Sequence, residues 1–199
     1  MTVETRRYEK KRRAELEAET RRRITESAME LHGTVGPSRT SISAVAERAG
    51  VRRSTVYRHF PDEAALFAAC SSHWAASNPL PDLGAWAAIE NPDERLRTAL
   101  DELYAFYRRT EPMMDNLLRD EAMPVVKSHF KPFREYLAAG RETLVRGRAA
   151  RGRRREAARA AIGHALAYTT WHSLTREQGL DDVQARELMS ELVAGAAAR

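Results

Sequence analysis

The sequence has few of the residues that stabilise secreted, membrane or β-sheet proteins. Its single cysteine, Cys70, excludes an intramolecular disulfide and fits a reducing compartment. It holds only ten glycines and eight prolines, and it lacks long alternating runs of β-branched residues. No stretch approaches the roughly 18 apolar residues of a membrane span, and the charged N-terminus has no apolar signal segment. We therefore expect an all-α protein of the cytoplasm that has no membrane contact.

The sequence also lacks the short motifs that mark common enzymes and metal sites. It has no His-Glu-x-x-His, no Cys-x-x-Cys, no glycine-rich phosphate loop and no Gly-x-Ser-x-Gly. The six histidines are scattered, and His164 and His172 are the pair whose spacing would let them share a helix face. We expect no catalytic residue, no metal site and no cofactor.

Residues 41–60 predict two short helices joined by a tight turn. Ser41 is the expected N-cap of the first helix, because its hydroxyl can accept a hydrogen bond from a first-turn amide. Ala46 is small where the helices would cross, Gly50 suits the turn, and Val56 would fill the angle between them. This spacing is typical of a helix-turn-helix. An ordinary helical hairpin with a basic surface is the alternative.

The outward side of the second helix carries hydrogen-bond donors and hydroxyl groups without a carboxylate. Such a surface suits the phosphates and base edges of DNA. Residues 1–60 hold 14 Lys and Arg against 8 Asp and Glu, the charge excess expected of a nucleic-acid binder. The DNA-contacting residues that we predict from this helix are Arg52, Arg53, Ser54, Thr55, Tyr57, Arg58 and His59.

Three segments, 23–31, 40–46 and 50–61, resemble successive parts of the DNA-binding domain of the tetracycline-repressor (TetR) family. The similarity extends over residues 20–67. It implies that family members contact DNA at the positions of Thr40, Arg53, Ser54, Thr55, Tyr57 and His59, so Thr40 is added to the predicted DNA residues. The resemblance also implies an all-α regulator in which an N-terminal three-helix helix-turn-helix domain precedes a C-terminal helical domain for ligand binding and dimerisation. One position departs from the family, which usually has a lysine where this chain has Glu63. A carboxylate there would repel a DNA phosphate, although it suits a helix N-terminus.

We expect three segments along the chain: a charged extension over residues 1–19, a helix-turn-helix domain with its linking helix over 20–76, and a helical domain over 77–199. The extension would either fray in solvent or continue the first helix as a basic arm on the flanking DNA. Breaker residues near Pro79 and Pro81 mark the boundary between the second and third segments.

Prolines and arginines set the expected limits of the later helices. Pro112 and Pro124 should each open a helix, the second of them long, since proline is tolerated in a first turn. Six arginines in residues 146–155 predict a mobile loop, with a second nucleic-acid or partner surface as the alternative. Two long helices, 154–176 and 181–197, should close the chain.

The penultimate of these helices has two apolar stripes, which indicates packing inside its own domain and also against a second copy. A two-fold dimer suits DNA as well, since adjacent major-groove half-sites lie about 34–36 Å apart. TetR-like proteins dimerise through such helices. The dimer residues that we predict are Ile162, Leu166, Thr169, Leu188, Leu192 and Val193.

Many aromatic and sulfur-containing side chains lie in the C-terminal segment, where the family resemblance implies a small-molecule site. Aromatic rings with a few polar atoms suit a flat or apolar ligand, although the same residues also make ordinary cores. The candidate ligand residues are Trp86, Tyr104, Tyr107, Met113, Met114, Phe130, Phe133, Tyr136, His164, Tyr168 and Trp171.

Together these features predict a homodimeric, sequence-specific transcriptional regulator. We expect a repressor that an unidentified small molecule releases from a palindromic operator on double-stranded DNA. A sequence-independent structural DNA-binding protein and a helical protein-interaction adaptor are the alternatives. A structural protein would bind any duplex with similar affinity, whereas a regulator should prefer one palindrome by ~10³ or more.

Overall fold

The structure, a computed structural model, describes residues 3–198 and the side chains of residues 7–198. Every regular element in this part of the chain is helical, so the all-α prediction is confirmed. In chain order the helices are α1 (Val3–Thr34), α2 (Ile42–Arg48), α3 (Arg53–His59), α4 (Glu63–Ser77), α5 (Leu83–Ala88), α6 (Pro92–Arg119), α7 (Pro124–His129), α8 (Lys131–Val145), α9 (Arg153–Ala165), α10 (Tyr168–His172) and α11 (Asp182–Ala198).

The described chain divides into two compact units. The first unit contains the residues up to Asn78 together with Pro112–His129, and the second contains Pro79–Glu111 together with the residues from Phe130 onward. The predicted domain limits, 20–76 and 77–199, stay a prediction. They assign residues 112–129 to the second domain, whereas these residues belong to the first compact unit. None of the helices that the structure describes is long and apolar enough to cross a membrane.

The first unit has its core among α1, α2, α3 and α4. Helix α1 contributes Ile24 and Ala28, which lie one turn apart and are fully buried. Their spacing puts both side chains on one helix face, and helices α2 and α4 pack against α1. The remaining buried apolar residues of this core are Ile42, Val45, Ala46, Ala49, Val56, Phe60, Leu66 and Cys70.

Helix α1 begins well before this core. Every described side chain from Arg7 to Glu19 is exposed, so the predicted extension continues the helix from Val3 and stands in solvent. Pairs of opposite charge four residues apart support it, with 3.9 Å between Lys11 and Glu15. Residues 1 and 2 of the predicted extension lie outside the described residues.

The second unit packs α8 against α5 and α9, and α9 against α11. Its core is rich in large side chains from the first part of α6, including Leu96, Leu100 and Leu103, all fully buried. Helix α11 begins where expected. Gly179 leaves the preceding turn with φ +74, and the Asp181 carboxylate accepts a hydrogen bond from the Gln184 amide at 2.8 Å.

Two predicted helix limits in the middle of the chain are wrong. Helix α6 continues through Pro112, because buried side chains on both sides, such as Tyr107 and Met114, outweigh the roughly 3 kcal/mol that an internal proline costs. The long helix expected after Pro124 is instead divided at Phe130 into α7 and α8. The division follows from Pro132, which has no amide hydrogen and therefore fits the first turn of a new helix.

The single helix predicted over residues 154–176 is also divided. Helix α9 ends at Ala165, and a five-residue π-helical turn, Ser173–Glu177, follows α10. Two tyrosines of α6 explain the break after α9. The Tyr104 hydroxyl donates to the Ala165 carbonyl at 3.0 Å, and the Tyr107 hydroxyl donates to the Leu166 carbonyl at 2.6 Å, so both carbonyls have partners without a continuing helix.

The arginine-rich stretch is shorter and more firmly held than the predicted mobile loop. Only residues 146–152 are non-helical, whereas the next three arginines form the exposed first turn of α9. Arg148 lies 2.8 Å from the Asp93 carboxylate and donates to the Pro92 carbonyl at 2.8 Å. Arg95 donates to the Arg146 carbonyl. These contacts tie the loop to the start of α6.

Candidate nucleic-acid interface

The helix-turn-helix forms from the residues that predict it. The Ser41 hydroxyl accepts a hydrogen bond from the Ala44 amide at 3.2 Å and caps α2. Gly50 has φ +63, a backbone conformation that other residues rarely adopt, and it turns the chain towards α3. Ala46 is 3% exposed and Val56 is fully buried, which leaves α2 and α3 in contact at a fixed angle.

The outward side of α3 is open to solvent. Arg52, Arg53, Ser54, Tyr57 and Arg58 are exposed. Tyr57 keeps 44% of its surface accessible although it is aromatic, which separates it from the core of the unit. Guanidinium, hydroxyl and phenol groups are the donors that bind DNA phosphates and base edges. This surface can therefore contact a duplex without rearrangement of the core.

The other three predicted DNA residues are partly buried. Thr55 lies on the inner edge of α3. The Thr40 hydroxyl donates to the Gly36 carbonyl at 2.8 Å, and this bond holds the turn that precedes α2. The pKa of His59 is lowered, first by burial and then by the positive charges of Arg58 and Arg21, so its imidazole is neutral at neutral pH.

Arginines of α1 support the ends of the two helices of the helix-turn-helix. Arg21 donates to the His59 carbonyl at 2.5 Å, and its guanidinium lies 4.0 Å from the centre of the Phe60 ring. Arg23 donates to the Ala49 carbonyl at the end of α2. These bonds satisfy helix C-terminal carbonyls that would otherwise lack partners, and they fix α1 against α2 and α3. Sequence reasoning missed both residues.

Arg48 adds a third link at the surface of the same unit. Its guanidinium donates to the Glu30 carboxylate at 2.5 Å and so joins α2 to α1. Both side chains are about half exposed, which limits the pair to a contribution of about 0–1 kcal/mol.

A further set of contacts holds the end of α6 against the end of α1 within the first unit. The Asn116 amide donates to the His32 carbonyl at 3.0 Å, and the Ser38 amide donates to the Asp120 carboxylate at 2.9 Å. Burial raises the pKa of Asp120, but hydrogen bonds from Arg119 and Ser38 outweigh it, so the pKa is lowered and the carboxylate stays charged. No local pattern in the sequence predicts these contacts.

The sequence model described as bacterial regulatory proteins of the tetR family matches residues 24–70. The chain carries a TetR-family DNA-binding domain. The family assignment made from the sequence is thereby confirmed. The match includes α2, α3 and the turn between them, together with the buried part of α1 and the first half of α4.

Solved structures of TetR-family regulators share the fold over most of the chain. NalD, the secondary repressor of the MexAB-OprM multidrug efflux pump in Pseudomonas aeruginosa, has a TM-score of 0.62 and 21% identity, covering 92% of this chain and 97% of its own. A TetR-like regulator from Rhodococcus sp. RHA1 has a TM-score of 0.62, 18% identity and coverages of 90% and 96%. A regulator from Streptomyces coelicolor has a TM-score of 0.59, 20% identity and coverages of 91% and 80%. No curated protein matches the sequence.

The TetR-family domain of this chain has two carboxylates at the start of α4. Asp62 is the N-cap and accepts a hydrogen bond from the Ala65 amide at 2.7 Å. Glu63 is the first helical residue and is exposed. Both stabilise the helix N-terminus through its positive end, so Glu63 has a structural role at the position where the family usually has a lysine.

Most of the predicted ligand residues form one aromatic cluster in the second unit. Tyr107 is at its centre and is fully buried, with ring centroids 5.2 Å from Tyr168 and 5.9 Å from Trp171. Burial raises the pKa of Tyr107 well above its usual value, so its hydroxyl remains a donor. Phe106, which the prediction omitted, also contacts this ring. The predicted residues that belong to the cluster are Trp86, Tyr104, Tyr107, Phe130, Phe133, Tyr136, Tyr168 and Trp171.

Three predicted ligand residues lie elsewhere. Met113 and Met114 belong to the first unit, because α6 contributes its last turns there. His164 is exposed on α9, and its ring nitrogen Nδ1 lies 3.2 Å from the Thr170 hydroxyl.

The predicted dimer residues separate into two groups. Ile162, Leu166 and Val193 are at most 1% exposed, because they fill the core of their own unit and cannot reach a second copy in this conformation. Leu188 and Leu192 are 43% and 45% exposed. They lie one turn apart on α11, which leaves an apolar strip on its outer face. Thr169 is exposed as well.

Proposed function

We propose that the protein is a cytoplasmic, homodimeric transcriptional repressor that binds a palindromic operator through α3 and is released from it by a small apolar or aromatic molecule. The observation that carries this proposal is the outward side of α3, which presents Arg52, Arg53 and Tyr57 on a TetR-family domain without an intervening carboxylate. Such a surface fits DNA phosphates and base edges.

In this proposal, different residues in and next to α3 contact different parts of the duplex. Arg52 and Arg53 donate to guanine edges, and Thr55 contacts a base through its methyl or hydroxyl group. Ser54, Tyr57 and Arg58 donate to phosphates and set the register of α3 on the groove. Thr40 and His59, at the two ends of the helix-turn-helix, also contact the DNA backbone, and their contacts within the unit hold its geometry.

Selection of bound duplexes from a random DNA pool tests this function. We expect enrichment of one imperfect palindrome, with half-sites about one helical turn apart. Arg53→Ala should relax the preference at one base position by roughly 1–3 kcal/mol, since a base contact is lost. Arg97→Ala, an exposed arginine of the second unit, is the matched control and should leave the preference unchanged. Equal affinity for all duplexes would favour the structural DNA-binding alternative.

The proposed dimer uses the exposed strip of α11. Leu188 and Leu192 would be covered by the same helix of a second copy, which joins two DNA-binding domains to read two half-sites. Leu192→Glu should shift sedimentation towards the monomer and weaken operator binding. Ala87→Glu places the same charge on the exposed surface of α5 and should change neither. Wild-type sedimentation of the Leu192 variant would remove α11 from the interface.

The proposed effector site is the aromatic cluster of the second unit. Its rings pack around Tyr107 in stacked and edge-on contacts, and a flat aromatic ligand can form the same kinds of contact in place of one of these rings. NalD, which has a similar fold, is the secondary repressor of a multidrug efflux pump. By likeness to it, we propose an apolar or aromatic effector for this chain.

An aromatic dye such as 1-anilinonaphthalene-8-sulfonate provides the first probe of this site. We expect it to raise the melting temperature and to weaken operator binding 5- to 150-fold, the usual range of allosteric coupling. Tyr168→Ala should reduce dye affinity, whereas Tyr8→Ala, which is 68% exposed in the first unit, should not. A compound that stabilises the protein without weakening operator binding is not an effector.

A further inference from the structure

The N-terminal part of α1 is a helix whose described side chains are not buried. From Arg7 to Glu19 every side chain is exposed, and the first fully buried residue of the helix is Ile24. This segment therefore contributes no burial to the core. It is held in helical form by surface pairs such as Arg13 and Glu17, 3.3 Å apart.

Charge on this exposed segment is sorted by helix face. With 100° per residue, Arg7 and Lys10 lie within about 40° of the direction of Arg21. Glu9 and Glu15 lie roughly 120° away from it, on the far side of the helix. Glu17 is the acidic residue on the near side, and it pairs with Arg13. The Arg21 face of the segment is therefore basic.

That face is also the one that meets α3. Arg21 donates to the His59 carbonyl at the end of α3, and its guanidinium covers the Phe60 ring. At 1.5 Å per residue, Lys10 and Arg7 lie about 16 Å and 21 Å further along the helix axis. They therefore lie on the face that contacts the end of α3, at a distance beyond the bases that a seven-residue helix can reach.

We infer that Arg7 and Lys10 form a second DNA contact, in which they bind phosphates of the duplex that flanks the operator. This inference rests on the proposed function. The ligand is the phosphate backbone, because these side chains are flexible and widely spaced, a pattern that matches point-charge contacts better than base recognition. The contact of this face with the end of α3, the proposed DNA-reading helix, favours DNA over an acidic protein as the partner.

The double substitution Arg7→Gln with Lys10→Gln tests the inference. The matched control is Lys11→Gln with Arg12→Gln, which removes the same charge at about 80° and 180° from the Arg21 direction. Glutamine has nearly the helix propensity of lysine and arginine, so circular dichroism should show equal helix content in both variants. Each variant is titrated with two duplexes, the selected operator alone and the operator with flanking base pairs, over a range of salt concentrations.

On the flanked duplex, the Arg7 and Lys10 variant should reduce the slope of log affinity against log salt by about 1–2 per protomer, because each lost phosphate contact removes about 0.9. The control variant should keep the wild-type slope, and the bare operator should not distinguish the two variants. Equal slopes for both variants on the flanked duplex would overturn the inference and leave an acidic protein as the partner of this face. Absence of any preferred duplex for the wild type would instead refute the proposed function.

Discussion

Acidification should destabilise the DNA-binding unit through His32. This residue lies in the last turn of α1, 8% exposed, with its ring centroid 5.1 Å from that of Phe67. Its Nδ1 atom lies 3.3 Å from the Cys70 sulfur. Burial lowers the pKa of His32 to about 4, and the negative charge of Asp120 counters this only in part.

The size of the effect follows from the two protonation states. In the unfolded chain the histidine has its ordinary pKa near 6.5. Below that pH the unfolded state binds a proton, whereas the buried imidazole of the folded state stays unprotonated. This histidine therefore costs no stability above its pKa in the unfolded chain. The free energy of unfolding falls as the pH drops from there towards its pKa in the folded protein. At about 1.4 kcal/mol per pH unit, the loss approaches about 3 kcal/mol near pH 4. This is a large part of the ~5–15 kcal/mol by which domains are stable.

Urea unfolding between about pH 7 and pH 4.5, with hydrogen exchange to follow residues 24–70, measures this loss. His32→Gln should lower stability at neutral pH, since ring contacts are lost, but should flatten the decline on acidification by roughly 2 kcal/mol. His73→Gln is the control, because His73 belongs to the same unit and its side chain is 38% exposed. If the His32 variant declined with the wild-type slope, burial of this imidazole would not be the cause.

Three further substitutions test other contacts by urea unfolding. Val56→Ala, at a fully buried position, should cost about 2 kcal/mol through lost burial and a cavity, and should weaken DNA binding because α3 is no longer held at its angle. Asp120→Asn removes the negative charge that both Arg119 and the Ser38 amide contact. It should lower the free energy of unfolding by about 1–3 kcal/mol at neutral pH, with little effect in strong acid. Tyr107→Phe leaves the Leu166 carbonyl without its donor and should also cost about 1–3 kcal/mol.

The helix-turn-helix could be predicted in detail because its determinants are close together in the sequence. The Ser41 cap acts three residues away, and the Gly50 turn needs only its own backbone freedom. Val56 follows Ala46 by ten residues, so the packing of α2 and α3 needs no knowledge of the rest of the chain. Local structure of this kind can be predicted from the sequence before the tertiary structure is known.

The second unit was less predictable because its helix breaks depend on distant partners. The chain leaves α9 after Ala165, where the Tyr104 hydroxyl, 61 residues earlier in the sequence, supplies a donor to its carbonyl. The residues around the break are ordinary helix formers, so no local pattern marks it. Pro112 shows the opposite error, since a strong local signal for a helix start was outweighed by burial along α6.

The arginines at positions 21 to 23 show why charge counts alone could not locate the support of the interface. Successive residues of a helix point about 100° apart, so the three side chains reach three different surroundings. Arg21 binds the end of α3, Arg23 binds the end of α2, and Arg22 instead pairs with glutamates of its own helix at 2.7 Å. The net charge of the segment is the same whichever residue takes each role. The helical phase of each basic residue relative to α3 therefore decides whether it supports the DNA surface, and the same criterion selects Arg7 and Lys10 over Arg12 further along the helix.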